Sequence, residues 1–157
     1  MTKLIDAIIC DIDGTLVNID KRLPYLTKDP IDWDSFLDPE NIKMDSPIVD
    51  TIKIIKVLSK TFPIVSVTGR NEGIRKATEE QLNQYLGFVP HKSMLHMRKD
   101  GDHSLDLIIK ANIYEKKIKP EYNIIGIFED KTSVVEMWRS LGLNVFQVDP
   151  PKAPDGF

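Results

Sequence analysis

The sequence has one cysteine in 157 residues, Cys10, which excludes an intramolecular disulfide and suits a reducing compartment. It has no apolar run approaching the length of a membrane span. Met1-Thr2-Lys3-Leu4-Ile5-Asp6 lacks the long apolar stretch of a signal peptide, so residence in the cytoplasm, away from any membrane, is expected. Basic residues are not in excess: 21 Lys and Arg against 24 Asp and Glu leave a net charge of −3. No global positive field therefore draws the chain to nucleic acid, and such a ligand would need a local cluster. The three histidines, His91, His96 and His103, lack metal-ligand spacing and are expected in loops or at the surface, so nothing points to zinc. Repeats and low-complexity tracts are missing too. The hydrophobic content of 41% and charged content of 29% are those of an ordinary globular chain, long enough for one domain with a substantial core.

What the chain does have is an apolar run, Leu4 to Cys10, broken by Asp6 alone and ending in Asp11-Ile12-Asp13-Gly14-Thr15. The run reads as a buried strand, with Cys10 as a small apolar residue inside it. Acids at the tip of a buried strand cost desolvation unless paired or bound to a metal, and Gly14 permits a sharp backbone turn. Two neighbouring carboxylates at such a bend can divide the work: one as nucleophile and metal ligand, the other as acid and base.

The stretch from 17 to 45 has little periodicity and is broken by Pro24, Pro30 and Pro39, so it is expected to fold over the strand tips as a lid or rim, anchored by packing of Trp33 and Phe36. Ser46-Pro47 has the form of a helix start, followed by an apolar face at Ile48, Ile52, Ile55 and Leu58. Residues 63–67 form a second strand ending in Thr68-Gly69-Arg70, and a helix follows over 72–86, stopped by Gly87. A short strand is expected at 94–97, a helix at 105–118 closed by Pro120, and a strand at 123–128 ending in Glu129-Asp130. Val134, Trp138 and Leu141 mark another helix, with Trp138 in the core, and residues 143–148 a fifth strand before a loop at 149–157. Strands alternating with helices predict an α/β fold: a Rossmann-like three-layer sandwich around a parallel sheet of about five strands. Ligands in such sheets sit at the carboxyl ends of the strands, where three strands here end in reactive residues.

Four carboxylates converging on one rim repel one another by about 4 kcal/mol per pair at roughly 4 Å and an effective dielectric near 20. A divalent cation relieves that repulsion, and ligands that are all oxygen favour Mg²⁺. Carboxylates, a hydroxyl, an ammonium and Mg²⁺ together suit phosphoryl transfer.

In order, Asp11-Ile12-Asp13-Gly14-Thr15, Thr68-Gly69-Arg70, Lys110 and Glu129-Asp130 resemble the four motifs of the haloacid dehalogenase superfamily of phosphohydrolases. Within it the chain looks closest to the 3′-phosphatase domain of bacteriophage polynucleotide kinase-phosphatases, on Arg22-Leu23-Pro24-Tyr25, Met97-Arg98 with Gly101-Asp102, Val134 to Arg139, Gly142-Leu143, Gln147-Val148 and Asp155-Gly156-Phe157. The kinase's phosphate-cradling loop does not occur. The resemblance implies a single phosphatase domain over 1–157 with Asp11 attacking phosphorus and Asp13 as acid and base. It implies that Thr68 and Lys110 hold the transferring oxygens, and that Mg²⁺ is bound by Asp11, the Asp13 carbonyl and Asp130. Arg22, Gly69, Arg70 and Arg98 are then on the substrate side. Glu129 stands where the family usually has Asp, and its extra methylene gives it the role of orienting Lys110. The implied substrate is a polynucleotide 3′-phosphate, in the host cytoplasm if the source is a phage, with a separate kinase or ligase as possible co-worker. A small-molecule nucleotidase or general phosphomonoesterase is the alternative, favoured by the acidic charge and by His103-Ser104 where relatives carry a basic residue. A phosphoacceptor receiver domain, built on a similar Asp, Thr, Lys and Mg²⁺ set, is the remote one.

Overall fold

The computed structural model describes residues 3–88 and 94–149. His91 and the tail from 150, including Asp155-Gly156-Phe157, lie outside the described residues. Five parallel strands form the central sheet: β1 (Ile5–Cys10), β4 (Ile64–Asn71), β5 (Leu95–Arg98), β6 (Tyr122–Glu129) and β7 (Val145–Gln147). Their spatial order is β5-β4-β1-β6-β7. The chain thus starts in the middle, winds outward to one edge, then returns and winds to the other. The direction reverses at β1, and a crevice opens there at the strand ends.

Alternation along β1 sorts the core. Ile8 and Cys10 face the layer of α4 (Val49–Leu58) and α5 (Arg75–Leu86), packing with Ile52, Ile55 and Leu82. Ala7 and Ile9 face α6 (Asp106–Ile113) and α7 (Thr132–Ser140), packing with Ile109, Val134 and a fully buried Trp138. This is the expected three-layer sandwich. Burial on both faces holds only from Ala7 onward, since Leu4 and Ile5 are exposed where the strand enters the sheet. Gly87 stops α5 in the left-handed conformation, φ +77°, with nothing among the described residues within 4 Å of where a side chain would start. The predicted 105–118 helix is α6 followed by a wider, π-type turn, Tyr114–Ile118, which puts the Tyr114 ring edge-on to Trp138 at 5.9 Å. His96, expected in a loop or at the surface, sits half-buried within β5, whereas His103 is exposed in the loop that follows.

Two further expectations are corrected. Ser46-Pro47 does not start a helix. It forms β3 (Ser46–Pro47), antiparallel to β2 (Val17–Asn18), and Ile48 N–H donates to the Leu16 carbonyl at 2.8 Å, so α4 starts at Val49. The backbone that would have opened a helix is used to close the base of the preceding segment. Within that segment lie three short helices, α1 (Leu23–Leu26), α2 (Trp33–Phe36) and α3 (Pro39–Ile42). Phe36 and Ile42 are buried there, but Trp33 is 53% exposed: Phe36 takes the inward position and leaves the indole edge-on outside it at 6.0 Å.

Candidate active site

Register brings the acids together. Cys10 pairs with Phe128 across β1 and β6, so Asp11 and Glu129 leave the sheet level with each other, and Asp11 N–H donates to the Phe128 carbonyl at 3.0 Å. Lys110, near the end of α6, bridges the two strand tips. Its Nζ donates to Asp11 Oδ1 at 2.8 Å and to Glu129 Oε2 at 2.7 Å, and all three residues are buried. Thr15 Oγ1 lies 3.1 Å from both Asp11 Oδ2 and Asp130 Oδ1. Carboxylate oxygens of Asp11, Glu129 and Asp130 fall within 4.8 Å of one another.

This cluster carries three carboxylates against one ammonium. Burial, then the neighbouring Glu129, push the Asp11 carboxyl well above the usual carboxylate range, with Lys110 opposing. Burial likewise raises Glu129, again against Lys110. A small cation with oxygen ligands fits the donor set, because histidine and thiolate are missing from it. Space is reserved as well. Gly14 has φ +81°, and a Cβ there would lie 2.1 Å from Asp130 Oδ2, so only glycine lets that carboxylate reach the cluster. Gly14→Ala is accordingly expected to cost about 10²-fold in turnover by displacing Asp130. Steady-state assays over a Mg²⁺ titration test this, and wild-type kinetics in the variant would show that the carboxylate has room to spare.

Asp13 belongs to a second network. Its Oδ1 accepts from Arg22 Nη2 at 2.7 Å and from Arg70 Nη2 at 2.6 Å. Burial would raise the Asp13 carboxyl, but the Arg70 and Arg22 guanidiniums outweigh it and hold it down at about 2. Both arginines are almost wholly buried and also meet Asp45, at 2.8 Å from Arg22 and 3.5 Å from Arg70. Gln81 on α5 completes this set, accepting from Arg70 at 2.8 Å. Neither guanidinium faces solvent, so substrate would reach them only after Asp13 moves aside. Arg98 is occupied too, by the carbonyls of Gly69, Asp102 and Ser104 and by Asp106. Thr68 is buried on β4, where its hydroxyl accepts from Arg70 N–H at 3.2 Å. Gly69 has no Cβ to hit Asp106, whose Oδ1 would be 2.7 Å away.

Sequence reasoning gave no role to Asp45 or Asp106. Asp106 had a signal: it lies four residues before Lys110, on the same helix face, and its Oδ2 accepts from Lys131 at 2.9 Å. Asp45 had none, since an acid at the end of an irregular stretch has no periodicity to mark it.

The family model of the polynucleotide kinase PNKP phosphatase domain matches residues 5–152. The chain belongs to that family. This PNKP-type phosphatase domain is 30% identical over 146 residues to a protein of Autographa californica nuclear polyhedrosis virus named as a bifunctional polynucleotide kinase/RNA ligase; the match covers 90% of this chain and 19% of that one. A solved structure of a Pnkp1/Rnl/Hen1 complex contains a chain that is 29% identical, with TM-score 0.76 over 94% of this chain and 47% of that one. The class C acid phosphatase of Bacillus anthracis shares the fold, with TM-score 0.65 and 14% identity, over 96% of this chain and 68% of that one. The PNKP-type domain thus spans under half of the Pnkp1-complex chain and about a fifth of the viral relative. Family membership makes it a phosphatase domain and sets the receiver-domain alternative aside. Among the described residues no helix is long and apolar enough to cross a membrane.

Proposed function

We propose that the domain is a Mg²⁺-dependent polynucleotide 3′-phosphatase working through an aspartyl-phosphate, in the repair of nucleic-acid ends beside a kinase or ligase. The observation that carries this is the Asp11, Glu129 and Asp130 cluster, with Lys110 bridging two of its acids at the strand ends, in a chain of this family. Once Asp13 has turned from Arg22 and Arg70 and taken a proton from solvent, Asp11 attacks phosphorus and Asp13 delivers that proton to the departing 3′-oxygen. Water then attacks the aspartyl-phosphate, Asp13 takes its proton, and inorganic phosphate leaves with Asp11 restored. Asp11, Asp130 and the Asp13 carbonyl would hold Mg²⁺, which when bound neutralises charge on the phosphoryl oxygens. Lys110 and Thr68 hold those oxygens, Glu129 orients Lys110, and Gly69, lacking a Cβ, leaves room for Asp106 of α6 beside β4. Arg22 and Arg70 hold Asp13 ionised, the state the water step needs, and can pass to substrate phosphate as Asp13 turns toward the leaving oxygen. Arg98, the last residue of β5, is on the substrate side, where it holds the following loop through the carbonyls of Asp102 and Ser104.

A panel of a 3′-phosphorylated oligonucleotide, the 5′-phosphorylated isomer and 3′-mononucleotides, with and without Mg²⁺, tests the reading. We expect Mg²⁺-dependent release from the 3′-phosphorylated oligonucleotide with the highest kcat/KM. A clear preference for mononucleotides would establish the alternative, a nucleotidase, instead.

A further inference from the structure

Trp33 is the feature that the mechanism above leaves unused. The protein has two tryptophans: Trp138 is sealed in the core, while Trp33 is 53% exposed, and Leu23 and Ile31 of the same segment are exposed with it. Trp33 lines an open groove of about 810 Å³ with Lys28, Asp29, Asp32 and Asp34, and His103 joins them from the loop after β5. The groove therefore runs between the chain that follows the carboxyl end of β1 and the loop that follows the carboxyl end of β5.

The indole is held in place rather than loose. It stands edge-on to Phe36 at an interplanar angle of 87°. Arg22 lies over the Phe36 ring, 4.7 Å from its centroid, and donates to the Phe36 carbonyl at 3.0 Å. The same guanidinium holds Asp13, so three contacts in series connect Trp33 to the acid-base residue.

We propose that Trp33 stacks against a base at the 3′ end of the polynucleotide, one of its last two. This rests on the polynucleotide reading above and deepens it. Charge selects the occupant. Three carboxylates line the groove with one lysine, and Lys28 Nζ is committed to Asp32, 2.6 Å from its Oδ2, which leaves the rim net negative through Asp29 and Asp34. A phosphodiester is repelled by such a rim, whereas the flat, uncharged face of a base is not. Stacking on an aromatic ring tolerates any base, which suits an enzyme acting on chain ends of arbitrary sequence. A pre-oriented ring also loses little conformational freedom on binding.

The experiment compares wild type, Trp33→Ala, Trp33→Leu and Trp33→Phe on two oligonucleotide 3′-phosphates, one intact and one abasic at its last two positions. On the intact substrate, KM should rise about 5- to 100-fold for Trp33→Ala and Trp33→Leu, and much less for Trp33→Phe. On the abasic substrate the four proteins should have the same KM. The intact oligonucleotide should also quench the exposed tryptophan emission of the wild type more than the abasic one does. Equal KM values on the intact substrate, or equal losses on both, overturn the proposal while leaving the 3′-phosphatase reading in place. A wild type that turns over neither oligonucleotide, yet cleaves mononucleotides, removes the reading and this proposal with it.

Discussion

Asp11→Asn should abolish turnover, by at least about 10⁴-fold in kcat, and at the same time raise the melting temperature of the metal-free protein. Both effects follow from one position. Asp11 sits in the cluster with Lys110 on one oxygen and Thr15 on the other, and in the proposed mechanism its carboxylate supplies the attacking oxygen. Its charge is also out of place energetically: burial and Glu129 push its carboxyl upward, so the ionised form costs stability in the metal-free fold. An amide keeps the shape and the Thr15 hydrogen bond, and Lys110 retains Glu129. Removing the charge should therefore stabilise by about 1 kcal/mol, a rise of roughly 2–4 °C for a chain of this size. Mg²⁺ supplies the complementary measurement. At about a hundred times its Kd a cation that binds only the folded state stabilises by about 2.7 kcal/mol, and the variant should lose most of that gain. Melting curves with and without Mg²⁺, beside a phosphate-release assay, read both. Persistent turnover in Asp11→Asn would rule out the covalent route.

The parts legible from sequence are those in which a pattern repeats along the chain. Alternation and helical spacing gave the sheet, the two helix layers and the burial of Trp138 and Cys10, because solvent exclusion acts on every residue of an element at once. Asp11, Glu129 and Asp130 were legible because each follows an apolar strand, and parallel strands must bring their ends to one edge. What was not legible depends on a single partner far away in sequence. Ser46-Pro47 has sound helix-start chemistry, yet pairing with residues 17 and 18 claims its backbone. Arg22 and Arg70 carry the same charge wherever they point; Asp45, which meets both in the interior, decides that they turn inward. Trp33 and Phe36 are equally apolar, and only the packing of α2 decides which of them is exposed.

Lys110→Met should be the most destabilising of the single substitutions considered, and should lower kcat by about 10²- to 10³-fold as well. Lys110 is 4% exposed and is the ammonium that both Asp11 and Glu129 contact. Burial lowers its affinity for a proton, but Asp11 and Glu129 more than restore it, so it stays charged across the working pH range. Methionine conserves the stem and removes the charge, leaving two buried carboxylates facing each other. Breaking a buried pair in this way costs about 3–5 kcal/mol, which for this length lowers the melting temperature by roughly 6–20 °C. Added Mg²⁺ should recover more stability in this variant than in wild type, because the cation then faces more uncompensated negative charge. Pairing Lys110→Met with Glu129→Gln removes one of the stranded carboxylates and should return much of the lost stability, but none of the activity if Lys110 holds the phosphoryl oxygens as proposed. That division is the informative result. If Lys110→Met melts with wild type, the lysine is not bridging the strand ends; if the double variant regains turnover, Lys110 acts on Glu129 alone and not on the substrate.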